Sequence, residues 1–166
     1  DIAYAAKPRA QYGIQATKKR EKVSGIVFHH TASPDNQPGD RAVAYGQTVD
    51  RVRGGSFGYH FYVDREGNIV QGAPLTARTN HLKDASAKER YAHKHIKNEN
   101  SIGISLIGTG ANPTPAQLAS AQKLGSAIAK KLGIDPKNVV GHGETQRDRS
   151  STEGQALAKL LRGEKD

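Results

Sequence analysis

A chain of 166 residues with 35% hydrophobic and 25% charged residues is one ordinary globular domain, long enough to bury about two thirds of its unfolded surface. No run approaches the roughly 18 apolar residues of a membrane span, and the lack of cysteine excludes disulfides, thiolate metal ligands and a cysteine nucleophile. The net charge of +9, from 25 Lys and Arg against 16 Asp and Glu, implies attraction to polyanions such as an anionic bacterial envelope. The densest basic run, Lys18-Lys19-Arg20-Glu21-Lys22, has no aromatic or recognition-helix signature beside it, so nucleic acid is not an expected partner. The chain starts at Asp1 and contains no Met, which suggests a processed product without its targeting segment.

Residues 1–22 read as an irregular N-terminal extension, interrupted by Pro8 and Gly13, ahead of a domain spanning 23–166. The first strand signal is Ile26-Val27-Phe28, short and rich in β-branched and aromatic residues, ending in His29-His30-Thr31-Ala32-Ser33. Successive strand side chains alternate, so His29 and His30 point to opposite faces and only one serves a given site. A turn-rich segment follows, and Asp40 can cap a helix over 41–53. Residues 58–63 form the next predicted strand, and Asp64-Arg65-Glu66-Gly67-Asn68 turns it back into a hairpin partner, Ile69-Val70-Gln71.

Residues 74–100 are a polar connection, long enough to expect a functional role. Residues 101–108 give a second buried-strand signal. Thr114 as cap and Pro115 in the first turn open a helix carrying Leu118, Ala121, Leu124, Ile128 and Leu132, and Gly133 ends it. Val139-Val140-Gly141-His142 reads as a short last strand, and residues 153–161 as a closing helix with Ala156, Leu157, Leu160 and Leu161 on its apolar side. Strands alternating with helices around one hairpin predict an α/β fold: a single domain with a mixed central β-sheet flanked by α-helices.

Ligands in such sheets sit at strand ends, where His29 or His30 and His142 fall. A zinc site built from them needs a third protein ligand, and without thiolates that is a carboxylate or another imidazole. Glu144, Asp148 and Glu153 all follow His142 closely enough to serve.

Five motifs in order carry a resemblance: Phe28-His29-His30-Thr31-Ala32, Gly58-Tyr59-His60-Phe61, Asn100-Ser101-Ile102-Gly103-Ile104, the segment from Pro113 to Leu118, and Gly141-His142-Gly143-Glu144. From about residue 25 to 162 the chain resembles the type 2 N-acetylmuramoyl-L-alanine amidases, which include T7-lysozyme-like endolysins and peptidoglycan recognition proteins. The resemblance implies a zinc hydrolase that cuts the amide between N-acetylmuramic acid and L-alanine in bacterial peptidoglycan. It would act as a lysin, a wall-remodelling enzyme or a secreted antibacterial factor, in the periplasm, outside the cell or released by a phage. A monomer is expected.

The same resemblance assigns His29 and His142 as zinc ligands, with His30 turned into the structure. It places Tyr59 beside the metal, orienting its water or stabilising the attacked carbonyl, and leaves His60 a structural role. Asn80 and His81 match a substrate-groove position.

The chain also departs from the family pattern. The usual third ligand is a Cys, or an Asp before Pro-Gly; here the segment reads Asp148-Arg149-Ser150-Ser151-Thr152-Glu153-Gly154. Glu153 is the expected third ligand and Asp148 the runner-up. Ser151 then falls where the family places an oxyanion-stabilising residue, and Arg149 can supply the cation that a hydroxyl lacks. Ser105 replaces a catalytic Glu of some members, which shifts proton transfer toward Tyr59, the zinc water and Glu144. The alternative to an enzyme is a non-catalytic peptidoglycan-binding module of the same fold.

Overall fold

The computed structural model describes residues 22–31, 59–73, 75, 79, 81–82, 96–108, 113–142 and 154–163. The predicted helix over 41–53 and nearly all of the N-terminal extension lie outside them.

Five strands form one sheet: β1 (Gly25–His30), β2 (Phe61–Val63), β3 (Ile69–Gln71), β4 (Ser101–Leu106) and β5 (Val139–Gly141), in the order β3-β2-β4-β1-β5. Only β3 runs antiparallel to its neighbour, so the sheet is mixed, as expected from the single hairpin. β1 lies between β4 and β5, and its His29 stands level with Ser105 of β4.

The helices α1 (Pro115–Leu132) and α2 (Gln155–Arg162) pack on one face of this sheet. Ile26 and Phe28 from β1, Ile102 and Ile104 from β4, and Phe61 and Val63 from β2 meet Leu124, Ile128 and Leu157 there. Each such side chain taken fully from water contributes about 1.5–3 kcal/mol. The opposite face of β1 and β5 buries Val27 and Val140 with Leu82 and Ile96.

α1 is anchored through its first turn. The Thr114 hydroxyl accepts from the Gln117 N–H at 3.0 Å, and Gln117 returns a bond to the Thr114 N–H, which is the capping box written in the sequence. The buried Gln117 amide donates to the carbonyls of Val63 and Ile107, at 3.0 and 2.9 Å, tying the helix to the ends of β2 and β4. In the hairpin turn, Asp64 accepts from the N–H groups of Glu66 and Asn68, and Gly67 takes a left-handed φ of 87°.

α2 begins two residues later than predicted. Its N-cap is Gly154, at φ 74°, because the chain there presses onto the sheet: a Cβ on Gly154 would stand 2.3 Å from the Phe28 carbonyl oxygen. Of the residues expected on its apolar side, Leu157 is buried and Leu161 packs against the core, whereas Ala156 is exposed and Leu160 is 48% exposed; Ala158 is buried in addition. No described helix is long and apolar enough to cross a membrane.

Candidate metal and catalytic site

The site face is the one opposite α1 and α2. Strand alternation sends Ile26 and Phe28 into the helix-covered core and Val27 and His29 to the other face, where His29 is 1% exposed. His30, one residue on, is half-buried on the opposite side. His142 follows β5 directly and continues the side of Val140, so two imidazoles from adjacent parallel strands meet.

Their Nδ1 atoms lie 2.9 Å apart and their ring centroids 4.4 Å apart. Tyr59, just before β2, brings its ring to a centroid distance of 4.9 Å from His29 at a 53° tilt. It rests in turn edge-on against Tyr62, 5.5 Å away. His81 approaches His29 from the other side, with its Nδ1 2.9 Å from His29 Nε2. The structure therefore brings together four residues expected at the site: His29, Tyr59, His81 and His142.

His60 keeps to the alternation of β2: Phe61 and Val63 face the helices, and His60 shares the other face with Tyr62. Tyr59 departs from it, because the chain bends at His60 before β2 begins and brings the Tyr59 ring to the same face, beside His29. The His60 ring lies 6.3 Å from the His81 ring, fully buried, and its Nδ1 accepts the Gly103 N–H at 3.0 Å. Its role is structural, as expected, since it bonds the β4 backbone.

Sequence reasoning missed Ser101 and the contact between His81 and His29. Ser101 bonds His81 Nε2 at 3.0 Å and the Lys97 carbonyl at 2.6 Å. A signal was present: β4 alternates large Ile102, Ile104 and Leu106 with small Ser101, Gly103 and Ser105, which marks a face covered by bulky groups from elsewhere. Ser105, level with His29 and Tyr62 across the sheet, buries a hydroxyl with no hydrogen-bond partner among the described residues.

The donor set suits zinc in part. Two tetrahedral nitrogen ligands on one zinc stand about 3.3 Å apart, so the facing Nδ1 pair needs only a small opening to hold the ion. His81 is not a third ligand of that centre, because it meets the other nitrogen of His29. Among the described residues no group of three or more His, Cys, Asp or Glu completes a metal site. Asn80, Glu144, Asp148, Arg149, Ser151 and Glu153 all lie outside the described residues. Gly154, the neighbour of Glu153 in the chain, is packed on Phe28 and Gly141, the residues immediately before the two histidines.

No curated protein sequence matches the chain. Among solved structures, the N-acetylmuramoyl-L-alanine amidase LysC from Clostridium intestinale is similar, with a TM-score of 0.69 and 22% identity over 97% of this chain and 98% of that one. Human PGRP-IBETAC, in complex with glycosamyl muramyl pentapeptide, gives a TM-score of 0.66 at 21% identity, covering 96% and 95% of the two chains. A mutant endolysin from Bacillus subtilis gives 0.65 at 19% identity, covering 98% of each. At such identities these likenesses establish the fold. Residues 19–155 match the N-acetylmuramoyl-L-alanine amidase family as a sequence, and the chain belongs to that family.

Proposed function

We propose that the protein hydrolyses, with zinc, the amide bond between N-acetylmuramic acid and L-alanine of bacterial peptidoglycan. The observation that supports this reading most is the facing Nδ1 pair of His29 and His142, with the Tyr59 ring beside it, in a chain of the amidase family. His29 and His142 are the proposed ligands and Glu153 the third, with Asp148 second in line. The packing of Gly154, the residue after Glu153, against Phe28 and Gly141 supports choosing Glu153 over Asp148, which is farther from that contact in the chain.

Zinc bound there supplies a Lewis acid and lowers the pKa of a coordinated water toward about 7. In this reading Tyr59 hydrogen-bonds the substrate carbonyl oxygen as it gains charge, and Arg149 and Ser151 add a cation and a hydroxyl donor to the same oxygen. Glu144 carries a proton to the leaving amine. Asn80 contributes to the substrate groove, while the buried, bonded imidazole of His81 supports action through His29.

The partner is the peptidoglycan wall, and the net charge of +9 favours its anionic surroundings. The muramyl peptide held by the human structural relative supports the same partner class. A cell-wall compartment, periplasmic, secreted or phage-released, follows from that substrate. The domain is taken as residues 23–166, monomeric, with 1–22 as an extension.

Incubating zinc-loaded protein with purified sacculi tests the proposal: stem peptides with free L-alanine amino termini are the expected product. Wall binding without release of any peptide would instead support the non-catalytic binding module, a reading favoured by the absence of the family's usual cysteine.

A further inference from the structure

The position of His81 is over-determined. A Cβ on Gly103 would stand 2.8 Å from His81 Cγ and 3.1 Å from its Nδ1, so the ring lies directly on the β4 backbone, in space that only glycine leaves. From the other side, the buried Asn98 amide accepts the Leu82 N–H at 2.9 Å and donates to the Leu82 carbonyl at 2.8 Å. Leu82 itself is packed with Val27, Ile96 and Val140. A residue held this firmly has its ring nitrogens fixed in direction as well as in place.

The hydrogen bonds through that ring have a forced polarity. A carbonyl only accepts, so the single hydroxyl hydrogen of Ser101 goes to the Lys97 oxygen, 2.6 Å away. The Ser101 oxygen then accepts from His81, whose Nε2, 3.0 Å away, must carry hydrogen. A neutral imidazole protonated at Nε2 is an acceptor at Nδ1, and the atom 2.9 Å from that Nδ1 is His29 Nε2. His29 Nε2 is therefore the donor, which leaves the His29 lone pair on Nδ1, facing His142. The reverse polarity would need a doubly protonated His81 at 5% exposure, an ion stripped of most of its hydration.

We propose that His81 and Ser101 are positioning residues, which hold His29 in the tautomer and orientation that present its Nδ1 lone pair to the metal. The inference rests on the reading of His29 as a zinc ligand. It places His81 behind the ligand instead of against the substrate, in the supporting position where loss of a partner lowers metal affinity by about 10–100-fold.

The direct test is the long-range proton–nitrogen spectrum of the histidine rings in the metal-free full chain, which identifies the hydrogen-bearing nitrogen of each imidazole. Hydrogen on Nε2 of both His29 and His81 is expected; hydrogen on Nδ1 of His29 would overturn the proposal without recourse to any variant. Zinc affinity, measured by competition with a chromophoric chelator, should fall about 10–100-fold in Ser101→Ala and His81→Phe. Ser101→Thr, which restores the hydroxyl, and His81→Asn, whose amide oxygen can accept from His29, should recover most of the loss. Cooperative thermal unfolding separates folded variants from failed ones, and a folded His81→Phe protein with the parent's zinc affinity would contradict the proposal. If the parent takes up no zinc, the ligand reading beneath the proposal falls, and that is seen before any substitution is made.

Discussion

The Nδ1 atoms of His29 and His142, 113 positions apart in sequence, face each other at 2.9 Å because β1 and β5 are adjacent parallel strands whose register pairs Phe28 with Gly141, the residues just before the two histidines. Register, not loop conformation, sets this pair. Replacing either imidazole by alanine should weaken zinc binding by more than the ~100-fold that loss of a supporting partner costs. Equilibrium dialysis checks this, and a folded His29→Ala or His142→Ala protein that keeps its zinc would remove both residues from the ligand set.

The third ligand is open to the same measurement. Glu153→Ala should lose zinc and Asp148→Ala should retain it, with peptide release from sacculi following zinc content. The reverse pattern would hand the position to Asp148. Retention in both would turn attention to Glu144.

Tyr59 should act on turnover and leave the metal alone. Its ring stands 4.9 Å from His29 by centroid, and Tyr59→Phe keeps that stacking while removing the hydroxyl. A loss of about 10²–10³ in kcat at unchanged zinc stoichiometry is expected, in line with removal of one donor to a developing oxyanion. Unchanged kcat would reduce Tyr59 to a packing role.

Two left-handed glycines separate local strain from site geometry. Gly133 caps α1 at φ 66° with nothing within 4 Å of a built Cβ, so Gly133→Ala should cost only the conformational penalty of about 1–2 kcal/mol. Gly154→Ala adds a contact of 2.3 Å with the Phe28 carbonyl oxygen, so strain and overpacking together should cost about 2–4 kcal/mol. Urea unfolding gives both values. Zinc affinity should fall in Gly154→Ala alone, because that glycine anchors the chain beside the two histidines.

The charge makes a separable prediction. Attraction of a chain with net charge +9 to an anionic wall is screened within about 10 Å at 0.1 M salt. Raising salt should therefore weaken sedimentation with sacculi more than hydrolysis of a small soluble muramyl peptide. Equal loss in both assays would mean that the charge does not guide wall binding.

Much of this was legible from the chain alone. The alternation through Ile26-Val27-Phe28 correctly sent His29 and His30 to different sides, and Thr114, Pro115 and Gly133 marked the ends of α1. Alternation failed between Tyr59 and His60, which share the site face, because the regular strand begins only at Phe61. The start of α2 was missed because the left-handed cap of Gly154 answers to a tertiary contact with β1. The contact of His81 with His29 was beyond local reading, since the long connection before β4 has no period that fixes which way a side chain points. It rests instead on Gly103 and Ser101, whose small size was visible in the sequence but whose partner was not.

The proposed activity requires one zinc ion at the centre formed by His29 and His142. The decisive measurement is to strip the protein with a chelator, restore zinc in steps, and count new L-alanine amino termini released from sacculi. Release that climbs with zinc and levels off at one ion per chain is the predicted result. Sacculi left intact at full zinc loading, or the same release from metal-free protein, would contradict it.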